Sequence, residues 1–157
     1  MKKPELELLF HLHIDGQPLD LGHVPLGLRR FVQVTGGSFE GPQLRGEVLP
    51  VGTDNALVRR DGVFEPNVNI VLRTRDAALI HVMYHGRFWA PEETMARLLA
   101  RDPGVDASDY YLRNAVFFET SAEPYLWLNR TLAVSTGAPA PVTEKGIGIN
   151  YDVYRVV

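Results

Sequence analysis

Polar and apolar residues alternate with a period of two, or condense into short apolar runs, along most of the chain. Clusters of Gly, Pro and Asp separate these segments, which is the pattern of antiparallel strands. It predicts strands over Leu6–Ile14, Arg30–Thr35, Gly46–Leu49, Asn55–Arg60, Val63–Arg73, Ala78–His85, Asn114–Glu119, Leu126–Ser135 and Tyr151–Val157. Between Arg60 and Val63, Asp61-Gly62 is the residue pair of a tight hairpin, whose central positions need positive φ. One segment reads as helix. Pro91 suits a first turn, Glu92 and Glu93 suit the positive end of the helix dipole, and Met95, Leu98 and Leu99 form a short apolar stripe before Asp102-Pro103-Gly104 ends it.

Roughly eight to ten strands with one short helix imply an all-β fold, an antiparallel β-barrel or a sandwich. The barrel is the preferred reading because closure removes exposed edges, with the helix as its lid or plug. A chain of 157 residues is long enough for one substantial core, so a single domain over 1–157 is expected. The segment Gly137–Asn150, rich in Pro and Gly, reads as a loop before the last strand.

Charge and composition narrow the function. A net charge of -3, with Lys and Arg scattered, offers no basic field for a phosphate backbone, so no nucleic-acid partner is expected. The N-terminal apolar run is interrupted by Glu5, Glu7, His11 and His13, which argues against a signal peptide or a membrane span and makes the cytoplasm the default compartment. With no cysteine, thiolate chemistry and cysteine metal sites are excluded. Leu26, Leu28 and Phe31 are candidates for a surface patch between subunits.

Several residues carry possible chemistry. Gly36, Gly37 and Gly41 resemble a phosphate-binding loop but lead into QLRGEVLP, which has no helical period, so they are expected to serve a bend or bulge. Arg45 and Glu47 share one face of a strand, opposite Leu44, Gly46 and Val48. On solvent they form a weak ion pair; inside a barrel they become an acid, a base or an anion anchor. If YLWLNRTLAV is a strand, Tyr125, Trp127, Asn129 and Thr131 share a face, a mixture that suits either a ligand cavity or a core with locally satisfied polar groups. In DYYLRNAVFFET, Tyr111 and Arg113 share a face, where the arginine would anchor a carboxylate or enolate, and Glu119 is a second base candidate or one half of a surface pair. His81 and His85 have the spacing of a helical zinc pair, but HVMYH reads as strand, where residues four apart are separated by roughly 13 Å. His11 and His13 lack a nearby glutamate, so no metal is expected. No Gly-x-Ser-x-Gly elbow supports nucleophilic hydrolysis.

GGSFEGPQLRGEVLPVGTDNALVRRDG, YYLRNAVFFET, YLWLNRTLAV and YDVYRVV together resemble the family known as domain of unknown function 3237. The resemblance implies a lipocalin-like barrel, a homo-oligomer, and isomerase, cyclase or lyase chemistry without a cofactor. The family pattern falls on Gly37, Gly41, Gly46, Asp54, Gly62, Tyr111, Arg113, Trp127 and Asn129. Beside Asp54 the chain departs from it, with Val51-Gly52-Thr53-Asp54-Asn55 where Gly-Gly-Ala-Asp-Trp is frequent.

The expected function is acid–base catalysis on a small aromatic or unsaturated carbonyl compound. Asp54 or Glu47 would be the base, Arg113 and Tyr111 the oxyanion-side donors, and Trp127 and Asn129, with Tyr125, Tyr84 and Arg45, the substrate-binding groups. A non-catalytic carrier or sensor barrel, or a structural module filled by its own side chains, are the competing readings.

Overall fold

A computed structural model describes residues 3–157. Nine strands form one sheet, β1 (Leu6–Val24), β2 (Gly27–Glu40), β3 (Arg45–Arg59), β4 (Phe64–Glu65), β5 (Asn67–Thr74), β6 (Leu79–Trp89), β7 (Tyr111–Glu119), β8 (Ala133–Thr143) and β9 (Gly146–Val156). Every pairing is antiparallel, and the ring closes through β1–β2, β2–β3, β3–β5, β5–β6, β6–β7, β7–β8, β8–β9 and β9–β1. The two-residue β4 fills the gap between β3 and β6. The result is the expected β-barrel, of eight long staves and one short one, closed into a ring. Among the described residues, no helix is long and apolar enough to cross a membrane.

Even-numbered residues of β5, β6 and β7 point inward, as their strict alternation of burial requires. One transverse row runs Val32, Asp54, Val68, Tyr84, Val116, Ala133 across six successive staves. Bulges curve the staves, with register shifts at Asp15/Gly16, between Gln33 and Gly37, and between Val48 and Gly52. Gly37 sits at one such bend with φ 147°, where an added Cβ would lie 2.0 Å from the His13 carbonyl oxygen. Gly37 therefore shapes the barrel wall.

Two helices close the ends. α1 (Glu92–Leu99) connects β6 to β7 at one end, and a 3-10 helix (Glu123–Arg130) connects β7 to β8 at the other. At the 3-10 end the interior is full. Phe10 packs edge-on against Phe39 at 5.6 Å and Phe118 at 6.3 Å, and Leu72, Ile80 and Leu128 are completely buried.

The structure corrects four boundaries. Gly46–Leu49 and Asn55–Arg60 belong to one strand, β3, which continues past Pro50 through its bulge. Val63–Arg73 divides at Pro66 into β4 and β5, since proline has no N–H for the ladder. Leu126–Ser135 is not one strand, because its first half is the 3-10 helix, begun by Pro124 in its first turn. Gly137–Asn150 is largely strand: past Thr136, β8 pairs only with β9, and Pro139 and Pro141 are tolerated on that open side.

Candidate functional site

The α1 end of the barrel holds a cavity of about 400 Å³, inside the range of about 300–1,000 Å³ common for small-molecule sites. Its wall is largely aliphatic and aromatic, with Val32, Val34, Val58, Val68, Leu112 and Phe88 contributed by the staves. Met95, Leu98 and Leu99 of α1 roof it. Exposed Gly62, Leu99 and Arg101 mark its mouth. Leu28 lines this cavity too, so it is not the surface residue the sequence suggested.

Asp54 is the acidic residue of the lining. It is half-buried, and the apolar wall around it makes the charged form costly. Burial pushes its carboxyl up from 3.8 to about 6, against the lowering effect of the Asn67 backbone N–H. That N–H donates to Asp54 Oδ1 at 2.8 Å and fixes the carboxylate's orientation.

Tyr84 shares the transverse row of Asp54 two staves away, and Tyr151 comes from β9. Both are buried, both line the cavity, and their rings meet edge-on at 5.4 Å. Burial, then Tyr151 and the charge of Asp54, raise the Tyr84 phenol well above its usual range; burial and Asp54 raise Tyr151 likewise, only partly offset by Tyr84. Both therefore remain O–H groups at neutral pH. Each is an O–H donor at the cavity wall.

Two arginines complete the polar lining. Arg30 projects from β2 and donates to both oxygens of Asp20, at 2.5 Å from Nε and 2.9 Å from Nη2. Arg101 follows α1 with φ 58°, and its Nη1 donates to the Ala140 carbonyl at 2.9 Å.

Of the residues singled out from the sequence, the structure brings Asp54 and Tyr84 together. The others lie elsewhere. Glu47 is on the outer wall, paired with Arg73 at 2.5 Å, and Arg45 stands exposed, 3.9 Å from Glu40. Both have odd numbers on a strand whose inward residues here are Leu44, Gly46 and Val48, and this parity carries them outward. Tyr111 and Arg113 also face out, the guanidinium 5.3 Å from the tyrosine ring centroid. Glu119 pairs outside with His81 at 3.0 Å.

Tyr125, Trp127 and Asn129 are on the 3-10 helix at the opposite end from the cavity. Tyr125 donates to Asp76 at 2.9 Å, and Trp127 lies beneath the Arg155 guanidinium at 6.0 Å. Asn129 accepts from the Thr120 N–H and donates to the Thr120 carbonyl, each at 2.8 Å, which ties the helix to the end of β7. These contacts build the closed end. Tyr151, Arg30 and Arg101 were not singled out; only the inward alternation of Tyr151 and Val153 in the last strand hints at the first of them.

The chain is 31% identical over 123 residues to a UPF0311 protein of Rhodopseudomonas palustris, covering 78% of this chain and 80% of that one. Its fold is similar to a crystal structure described as a beta-barrel like protein from Acinetobacter baumannii, with TM-score 0.81 and 32% identity, covering 100% and 98% of the two chains. It is also similar to the structure of a protein described as an enzyme from Penicillium herquei, with TM-score 0.68 and 25% identity, covering 100% and 97%. The model of the family described as "Protein of unknown function (DUF3237)" matches residues 4–156, and the chain belongs to that family.

Proposed function

We propose that the protein is a cofactor-independent enzyme that moves a proton on a small unsaturated or aromatic carbonyl compound, as an isomerase, cyclase or lyase would. One observation carries this reading: a carboxylate with its pKa pushed up to about 6 stands in an apolar cavity that also presents a buried tyrosine pair. Asp54 takes the proton from a carbon next to the carbonyl, and the electron pair of that C–H bond moves to the carbonyl oxygen. A tyrosine O–H of the pair donates to this developing enolate, where a fixed donor in a dry site is most effective. Returning the proton to a different carbon completes an isomerisation; expelling a group from the β-carbon completes an elimination. That a similar barrel is described as an enzyme supports the catalytic reading.

A carrier or sensor is the second reading, favoured by the extent of aliphatic lining, which gives affinity without chemistry. The experiment is a screen of enones and phenols for binding, followed by incubation of the binders in D2O. Deuterium uptake catalysed by the wild type and lost in Asp54→Asn, with binding kept, is the expected result. Equal uptake in both proteins contradicts the role of Asp54, and binding without uptake in either supports the carrier.

A further inference from the structure

Two guanidiniums at the cavity differ in what holds them. Arg30 is already answered by Asp20, through a two-pronged contact across the β1–β2 hairpin. Arg101 is not. Among the described residues it forms no ion pair with a carboxylate, and the one hydrogen bond of its side chain is to the backbone carbonyl of Ala140. It is nonetheless held in place, by its own left-handed φ of 58°, by its N–H donating to Leu98 at 3.0 Å, and by that side-chain bond. A cation fixed at the mouth of an apolar cavity and lacking a counter-charge is a site for an anion.

Its position gives the ligand a direction. Ala140 lies on β8 and Asp54 on β3, and four steps separate these staves in either direction around the ring of eight, through β5, β6 and β7 or through β9, β1 and β2. A molecule anchored beside Ala140 must cross the cavity to reach Asp54. The wall of that cavity includes Val32, Val68, Phe88, Leu98 and Leu112, which fit a hydrocarbon body.

We infer that the cavity takes an amphipathic carboxylic acid, whose carboxylate pairs with Arg101 at the mouth while its apolar body carries the reacting carbonyl across to Asp54 and the tyrosine pair. This rests on the ligand-binding reading of the cavity proposed above and names the class of compound. A carboxylate pointing the other way would meet the like charge of Asp54. The guanidinium fork matches the two oxygens of a carboxylate, which a neutral ketone lacks.

The test compares two probes of similar shape, 2-naphthoate and the neutral 2-acetylnaphthalene, by calorimetric titration at pH 7 into the full chain. Naphthoate is expected to bind at least tenfold more tightly than the ketone, with the preference weakened by added salt. Arg101→Gln is expected to remove the preference and leave ketone binding unchanged, and Arg101→Lys to restore part of it. Equal binding of both probes to the wild type overturns the inference while leaving the cavity reading intact. A preference that survives in Arg101→Gln overturns the role of Arg101, with the ketone's affinity serving as evidence that the variant is folded. Failure of both probes to bind overturns the inference and the cavity reading together.

Discussion

The two ends of the barrel are made from the same staves and solve opposite problems. At the 3-10 end, large side chains meet on the axis: Phe10, Phe39, Phe118 and Leu128 leave no room, and the polar residues of the capping helix bond outward to Asp76 and Thr120. At the α1 end several inward residues are valines, a cavity remains among them, and the same inward row that supplies Val32 and Val68 also places a carboxylate there. Burial at the first end is favourable because nothing charged is taken out of water. At the second end it is costly, because burial disfavours the charged form of Asp54. Stability is thus concentrated at one end, and chemistry is possible at the other because that end gives some stability up.

The largest expected effect is at the packed end. Phe10→Ala removes a completely buried ring and is expected to cost about 3–5 kcal/mol in denaturant unfolding, whereas Val32→Ala, on the wall of an existing cavity, is expected to cost about 1 kcal/mol. Similar losses at the two sites would remove the contrast between the ends.

Next comes Asp54→Asn, expected to be more stable than the wild type at pH 8 by about 1–3 kcal/mol, while losing turnover. The sign follows from the raised pKa. Between 3.8 and about 6 the folded state holds a proton that the unfolded state has released, so the wild type loses stability as pH rises through this window. Below pH 3.8 both states are protonated and the difference between the variants should vanish. Thermal melts of both proteins from pH 3.5 to 8 check this; a wild type that stays the more stable at pH 8 contradicts the desolvation of Asp54.

Tyr84→Phe removes one hydroxyl of the tyrosine pair at modest structural cost, about 1 kcal/mol, but is expected to lower turnover by about 100-fold through loss of the donor. An unchanged rate would leave the enolate without its proposed partner. The smallest effects belong to the outer wall. Glu47→Gln and Arg113→Ala are expected to shift stability by less than about 0.5 kcal/mol and to leave ligand binding unaltered, since both side chains are exposed.

Much of this arrangement can be read along the chain. The period of two gives the staves and their inward faces, and parity on β3 separates Asp54, which shares the even positions of Leu44 and Val48, from Arg45 and Glu47. What alternation cannot say is whether parity survives a bulge. Between Val48 and Gly52 it does, because the insertion on β3 relative to β5 is an even number of residues. The region around Trp127 misleads for a different reason: Tyr125, Trp127 and Asn129 alternate like a lining strand, while Pro124 starts a helix in which Leu128 alone turns fully inward. Arg101 leaves no trace in the pattern, since its place at the mouth comes from a single left-handed residue after α1. Arg30 is likewise defined by the hairpin register that sets it opposite Asp20.

The most direct test of the central claim is a titration of the Asp54 carboxyl carbon by 13C NMR in the intact protein, assigned by its absence in Asp54→Asn. A midpoint near pH 6 is the expected result. A midpoint near the ordinary aspartate value of about 3.9 would mean that the carboxylate is solvated, and would contradict a base held ready in an apolar cavity.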